Sequence, residues 1–238
     1  MKYTPLRPTW DQDAARGSPH PLPDLAIRLC FLAAGFSPIT AIAVMIFGFT
    51  TLPVAVLSFI VPSAALAALL ALRFPEYGRL ALHGFLAGIA AVFCYDLFRI
   101  PFILTGIWPD FIPQISVWLL GVSQPIPAVG YFYRYVGDGG GMAMAFALCY
   151  PLVRRRVQPV RGGLSFGVAV WSGLMATLII APHGQDLLFR LTPLTFALSL
   201  AGHLIYGSTI GLVLRSRFSQ FSGSTRLGRF VGTDGQAA

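Results

Sequence analysis

Residues 105–137 read TGIWPDFIPQISVWLLGVSQPIPAVGYFYRYVG, and whether this stretch crosses a bilayer decides the topology of everything around it. Its apolar core, Ile115 to Val122, is well short of the roughly 20 helical residues that a hydrocarbon layer requires. Pro109, Pro113, Pro125 and Pro127 flank that core, and a proline ring removes a backbone donor and crowds the preceding helical turn. Read as non-crossing, the stretch is an outer-side re-entrant or interfacial element. Its Trp108, Trp118, Tyr131, Tyr133 and Tyr135 are then placed for the headgroup layer.

The chain on either side is apolar. The sequence is 55% hydrophobic and 11% charged, where soluble domains carry about 25% charged residues. The pattern predicts an all-α, polytopic membrane fold with six transmembrane helices, at 27–49, 53–73, 80–104, 139–153, 164–181 and 193–214. A polar N-terminal tail (1–24) precedes the membrane domain (25–215), and a basic tail (216–238) follows, expected to be disordered or interfacial. Residues 1–24 lack the ordered charged, apolar and cleavable regions of a signal peptide, so the first helix is expected to be retained.

Charge selects among topologies. With six crossings and both termini cytoplasmic, only Arg99, Arg134 and Arg190 fall on the outer side, and every other Lys and Arg falls inside. A crossing by 105–137 would invert the first three helices and divide the basic residues almost evenly, against the positive-inside rule. Topology and lipid therefore account for the net charge of +8, with Arg154, Arg155 and Arg156 as a stop-transfer anchor. No nucleic-acid partner is expected. The expected partner is the lipid bilayer, with other membrane subunits or self-association as further possibilities.

Small residues recur at helical spacing in Gly84xxxGly88, Gly163xxxGly167 and Gly207xxxGly211. Such pairs let helix backbones approach in lipid, where association rests on contact rather than on the hydrophobic effect. Close packing of the third, fifth and sixth helices is the expectation.

One charged pair interrupts the third helix, in YDLFRIP (95–101). At about 1.5 Å of rise per residue, Asp96 lies roughly 12 Å and Arg99 roughly 8 Å below the outer end, with His203 of the last helix roughly 15 Å down. Arg99 stands one turn from Asp96 and Tyr206 one turn from His203. A charge in mid-bilayer costs at least about 2.5 kcal/mol, so it normally faces a partner or water. Asp96, Arg99, His203 and Tyr206 are therefore expected to form an outward-opening polar pocket, with Asp96 and Arg99 neutralising each other. The plainer alternative is a structural ion pair, with His203 as an interhelical hydrogen-bonding group.

Other motifs carry less. No GxSxG or HExxH pattern occurs, so no catalytic residue is assigned and enzymatic activity stays open. His183 and Asp186 are weak metal candidates, with Asp110 or Asp138 on the same side, but solvated loop residues are the simpler reading. The histidines lie at different depths and the three cysteines in different helices, so neither bis-histidine haem nor any other cofactor is expected. GDGGG (137–141) reads as a flexible hinge, or as an anion cradle without the spacing of a phosphate loop.

HGFLAG (83–88), YDLFRIP (95–101) and HLIYGSTIG (203–211) together resemble YagU-like and related bacterial inner-membrane proteins. The resemblance implies a multi-helix architecture in the bacterial inner (cytoplasmic) membrane and an association with acid tolerance, and no catalytic residue. The functional expectation is a membrane protein handling a proton or small polar solute, a possible transporter. The alternatives are a non-catalytic structural or assembly subunit of a membrane complex, and a redox subunit binding haem, quinone or metal.

Overall fold

The computed structural model describes the backbone of residues 21–153 and 157–230, and the side chains of 24–153 and 157–216. The tail expected over 1–24 falls mostly outside these residues, as do Arg154–Arg156 and the last residues of the C-terminal tail. The described residues form an all-α bundle, with six helices among them long and apolar enough to cross a membrane. These are α1 (Pro21–Ile46), α2 (Leu52–Arg73), α3 (Pro75–Leu104), α5 (Pro127–Val153), α6 (Pro159–Ile180) and α8 (Pro193–Phe230), the last with its apolar span at Pro193–Ser216. Two short helices, α4 (Gln114–Leu120) and α7 (Gly184–Leu187), lie in connections. An even number of spans puts the connections 47–51, 105–126 and 181–192 on one face, the loop face, and both ends of the bundle on the other. The backbone of α8 stays helical to Phe230, through the first part of the stretch read as a tail.

Five of the six spans match the expected helices to within five residues at either end. The fourth span, α5, differs: it begins at Pro127, not at residue 139, so the non-crossing element is 105–126 and not 105–137. Pro127 sits in the first turn of α5, where a missing N–H costs nothing and the fixed φ favours a helix start. Tyr133–Gly140 then forms a π-helical stretch that carries directly into the α-helix from Gly141. The headgroup reading of the aromatic residues changes with it. Trp108 is 1% exposed, and Tyr133 is buried with its hydroxyl donating to the Pro38 carbonyl at 2.8 Å.

Glycine makes the bundle tight. A Cβ on Gly163 would strike the Gly207 carbonyl and come within 3.1 Å of the Gly211 nitrogen, and one on Gly207 would lie 3.2 Å from the Gly167 Cα. The two GxxxG motifs of α6 and α8 therefore pack face to face, the close approach that small residues permit in lipid. The α3 motif packs on α5 instead: a Cβ on Gly84 would lie 2.6 Å from the Ala147 Cβ, and one on Gly88 would strike the Gly139 carbonyl. Gly140 meets the Phe85 ring, and Gly141 lies against the Gly35 carbonyl of α1. The GDGGG run is thus a packing surface against α1 and α3. It is not a hinge, and none of its glycines has positive φ.

Pro38 interrupts the α1 ladder. The Ala34 carbonyl it would otherwise leave open accepts a bond from the Ser37 hydroxyl at 2.9 Å. Ser63 of α2 donates to the Ser37 Oγ at 3.0 Å, which ties the outlying α2 to this point of α1. Toward the termini, Arg28 is paired with Asp24 at 3.0 Å and donates to the Leu148 carbonyl, while the Tyr77 hydroxyl bonds Asp24. One carboxylate and one guanidinium thereby join α1, α3 and α5.

Candidate functional site

The polar groups of the bundle converge in its loop-facing half, around a cavity of about 390 Å³. Arg134, in the π-helical stretch of α5, donates to both Asp96 oxygens, from Nη2 at 2.8 Å and from Nε at 3.1 and 3.2 Å. Its guanidinium carbon lies 4.7 Å from the Tyr95 ring centroid. Arg99 turns the other way, to Asp110 in the loop, and Tyr131 donates to the second Asp110 oxygen at 2.9 Å. The Arg99 Nε stands 3.9 Å from Asp96, beyond hydrogen-bonding distance. The anticipated Asp96–Arg99 neutralisation is therefore secondary. Each residue has a nearer partner from the segment expected to be a re-entrant or interfacial element, because α5 starts earlier and brings Arg134 to the level of Asp96.

Of the four residues expected in a pocket, three line the cavity: Arg99, His203 and Tyr206. Asp96 is 5% exposed and lies behind the wall, held by Arg134. The equal depth expected for Asp96 and His203 appears through Tyr95. The imidazole meets the Tyr95 ring edge-on with centroids 5.4 Å apart, and Arg134 covers the same ring. His203 Nδ1 is 2.7 Å from the Ser199 carbonyl, and Tyr206 donates to the Gly139 carbonyl at 2.6 Å. These bonds seat both side chains against backbone, so their orientation is set by α8 and the π-helical stretch together.

The carboxylate on the cavity wall is Asp138, 8% exposed, with Oδ1 buried and without a hydrogen-bond partner. Buried polar atoms nearly always have a partner, so an exception marks a site of interest. The π-helical geometry presents Arg134 and Asp138, four residues apart, to the same cavity. Such insertions recur at functional sites. The sequence reading gave this residue only as a same-side metal candidate and as part of a hinge, and left it out of the pocket. The available signal was a second acid and base, four residues apart and following three aromatic residues, in the manner of YDLFRIP.

Toward the loop face the cavity is roofed by Trp108, Phe111, Ile112, Leu188 and Phe189. Trp108 and Phe189 meet edge-on at 5.9 Å, and Phe111 lies 6.3 Å from Phe189. Sideways it is bounded by α1 and α6, which touch through the rings of Phe36 and Phe166 with centroids 6.0 Å apart. Thr40 of α1 and Ala169 and Gly173 of α6 line the cavity and are exposed.

The weak metal candidates lie elsewhere. His183 Nδ1 and Asp186 are 3.8 Å apart with side chains 73% and 77% exposed. Among the described residues no group of three or more His, Cys, Asp or Glu is placed to hold a metal ion. Cys30, Cys94 and Cys149 are free thiols, each half-buried.

Fold and cavity together define a membrane-embedded helical bundle with an internal, partly charged chamber. Compared with protein-family models, curated proteins and solved structures, the chain matches none.

Proposed function

We propose that this protein holds one positive charge, a proton or a cationic solute, at Asp138 within the bilayer, and that this exchange is the core of a solute-handling role. Charge balance carries the reading. Arg99 and Arg134 face three carboxylates, Asp96, Asp110 and Asp138, and the first two are consumed in the ion pairs. Asp138 is left with an unpartnered oxygen. An uncompensated charge in a low-dielectric interior is strongly disfavoured, so the surplus is met by a proton when the chamber is empty and by a cation when it is filled. The charged and titratable groups that line the cavity with it are Arg134 on its own helix, Tyr95 and Arg99 from α3, and His203 and Tyr206 from α8.

The same reading places the protein in a bacterial cytoplasmic membrane with the terminal face inside. Among the described residues Arg28, Arg73, Arg79, Arg161 and Arg215 lie toward that face, against Arg99, Arg134 and Arg190 toward the loop face, in keeping with the positive-inside rule. The resemblance carried by the motifs of α3 and α8 supports the same compartment.

Infrared titration of the protein in lipid nanodiscs tests the proposal. A carboxylic-acid carbonyl band that is present in the wild type and missing from Asp138→Asn is expected. If the wild-type and D138N spectra coincide across the titration, Asp138 holds no exchangeable proton and the reading fails in favour of a structural or assembly subunit.

A further inference from the structure

Resting on that reading, we infer that the solute is a lipophilic monocation, an amine-type head on an apolar body, which enters from the bilayer between α1 and α6. The volume of about 390 Å³ lies in the range that holds small organic ligands. The head is set by charge. The charges of Arg134 and Arg99 are each compensated by an ion pair, with Asp96 and Asp110, while Asp138 is the third carboxylate facing two guanidinium groups. The body is set by the rest of the wall. Phe36, Ile39, Phe166, Val170 and Leu174 offer no hydrogen bonds, and Trp108 and Phe111 add aromatic rings, which favour a nearby cation. A fully polar solute would lose its hydration there without replacement.

The route follows from where the walls are thin. The loop side is closed by interlocked aromatic side chains. The flank is bounded by exposed lining residues on two helices that meet at Phe36 and Phe166, and a Cβ on Gly173 would find nothing within 4 Å. A molecule already dissolved in lipid reaches this gap without crossing the roof, its cationic head leading toward Asp138.

The test uses the full chain in nanodiscs with Trp108 as its sole tryptophan, and two probes of matched length, 10-bromodecylamine and 10-bromodecanol. Bromine quenches indole fluorescence on contact. Saturable quenching by the amine is expected, at least tenfold weaker for the alcohol and at least tenfold weaker for the amine with Asp138→Asn. Gly173→Leu, which fills the gap, should slow the onset of quenching. Equal affinity for amine and alcohol, or no saturable quenching by either, overturns the solute class even where the Asp138 infrared band is present, so this inference can fail while the charge-exchange reading stands. Unchanged onset in Gly173→Leu overturns the lateral route. Should D138N fail to fold, the comparison of the two probes on the wild type decides alone.

Discussion

Replacing Arg134 by methionine should be among the most damaging single changes in the loop-facing half of the bundle, and its size can be worked from the geometry. The substitution removes the donors to Asp96 at 2.8 and 3.1 Å while keeping most of the apolar stem. Opposite charges about 4 Å apart attract by about 4 kcal/mol at an effective dielectric of 20. Breaking a buried pair from one side typically costs about 3–5 kcal/mol. Arg99, 3.9 Å away, still shields Asp96, so a loss near the lower end, about 3 kcal/mol, is expected. Asp96→Asn should cost less, about 1.5–3 kcal/mol, because an amide oxygen can still accept from Arg134, which also keeps its contact with the Tyr95 ring. The double variant should then be better than the sum of the singles by more than about 1 kcal/mol, as for residues in one network. Reversible unfolding in mixed micelles, titrated with a denaturing detergent, measures all three. Additivity within about 0.5 kcal/mol would refute the assignment of Arg134 as the principal partner of Asp96.

Three further outcomes follow from the packing. Gly207→Leu should destabilise by about 1–3 kcal/mol, since its side chain would collide with the Gly163 carbonyl and the Gly167 Cα, whereas Gly173→Ala, which meets nothing within 4 Å, should be near neutral in the same unfolding assay. Tyr206→Phe should cost about 1 kcal/mol through the lost bond to the Gly139 carbonyl, read in the same unfolding assay. Trp108→Ala should open the roof. In a background freed of Cys30, Cys94 and Cys149, a cysteine at Val170 should react with a water-soluble thiol reagent in the Trp108 variant and not in its parent.

Much of the architecture is written in simple periodicities. Long apolar runs define five spans outright, and the sidedness of Lys and Arg settles the parity around 105–126 without any contact information. The GxxxG motifs of α6 and α8 are legible because mutual approach of two glycine faces needs only local spacing. The start of α5 was obscured for a physical reason: a proline reads as a breaker inside a helix and as an initiator at its first turn, and the sequence around Pro125 and Pro127 does not distinguish the two. That ambiguity kept Arg134 and Asp138 out of the expected pocket. Depth arithmetic matched Asp96 with His203, yet it could not tell that a third helix supplies the nearer counter-charge, since partner choice depends on rotation about each helix axis.

The second helix carries a different consequence. Only 11% of the apolar window in Leu52–Arg73 is covered by the rest of the chain, and its attachment runs through Leu52, Ala55, Ala67 and the Ser63–Ser37 bond. Acyl chains are therefore its main neighbours. Thinning or stiffening the surrounding lipid acts first on this outrigger, which hands the strain to α1 at Ser37, beside the proline whose carbonyl anchors Tyr133, and to the start of α3, where Ala71 packs on Gly78.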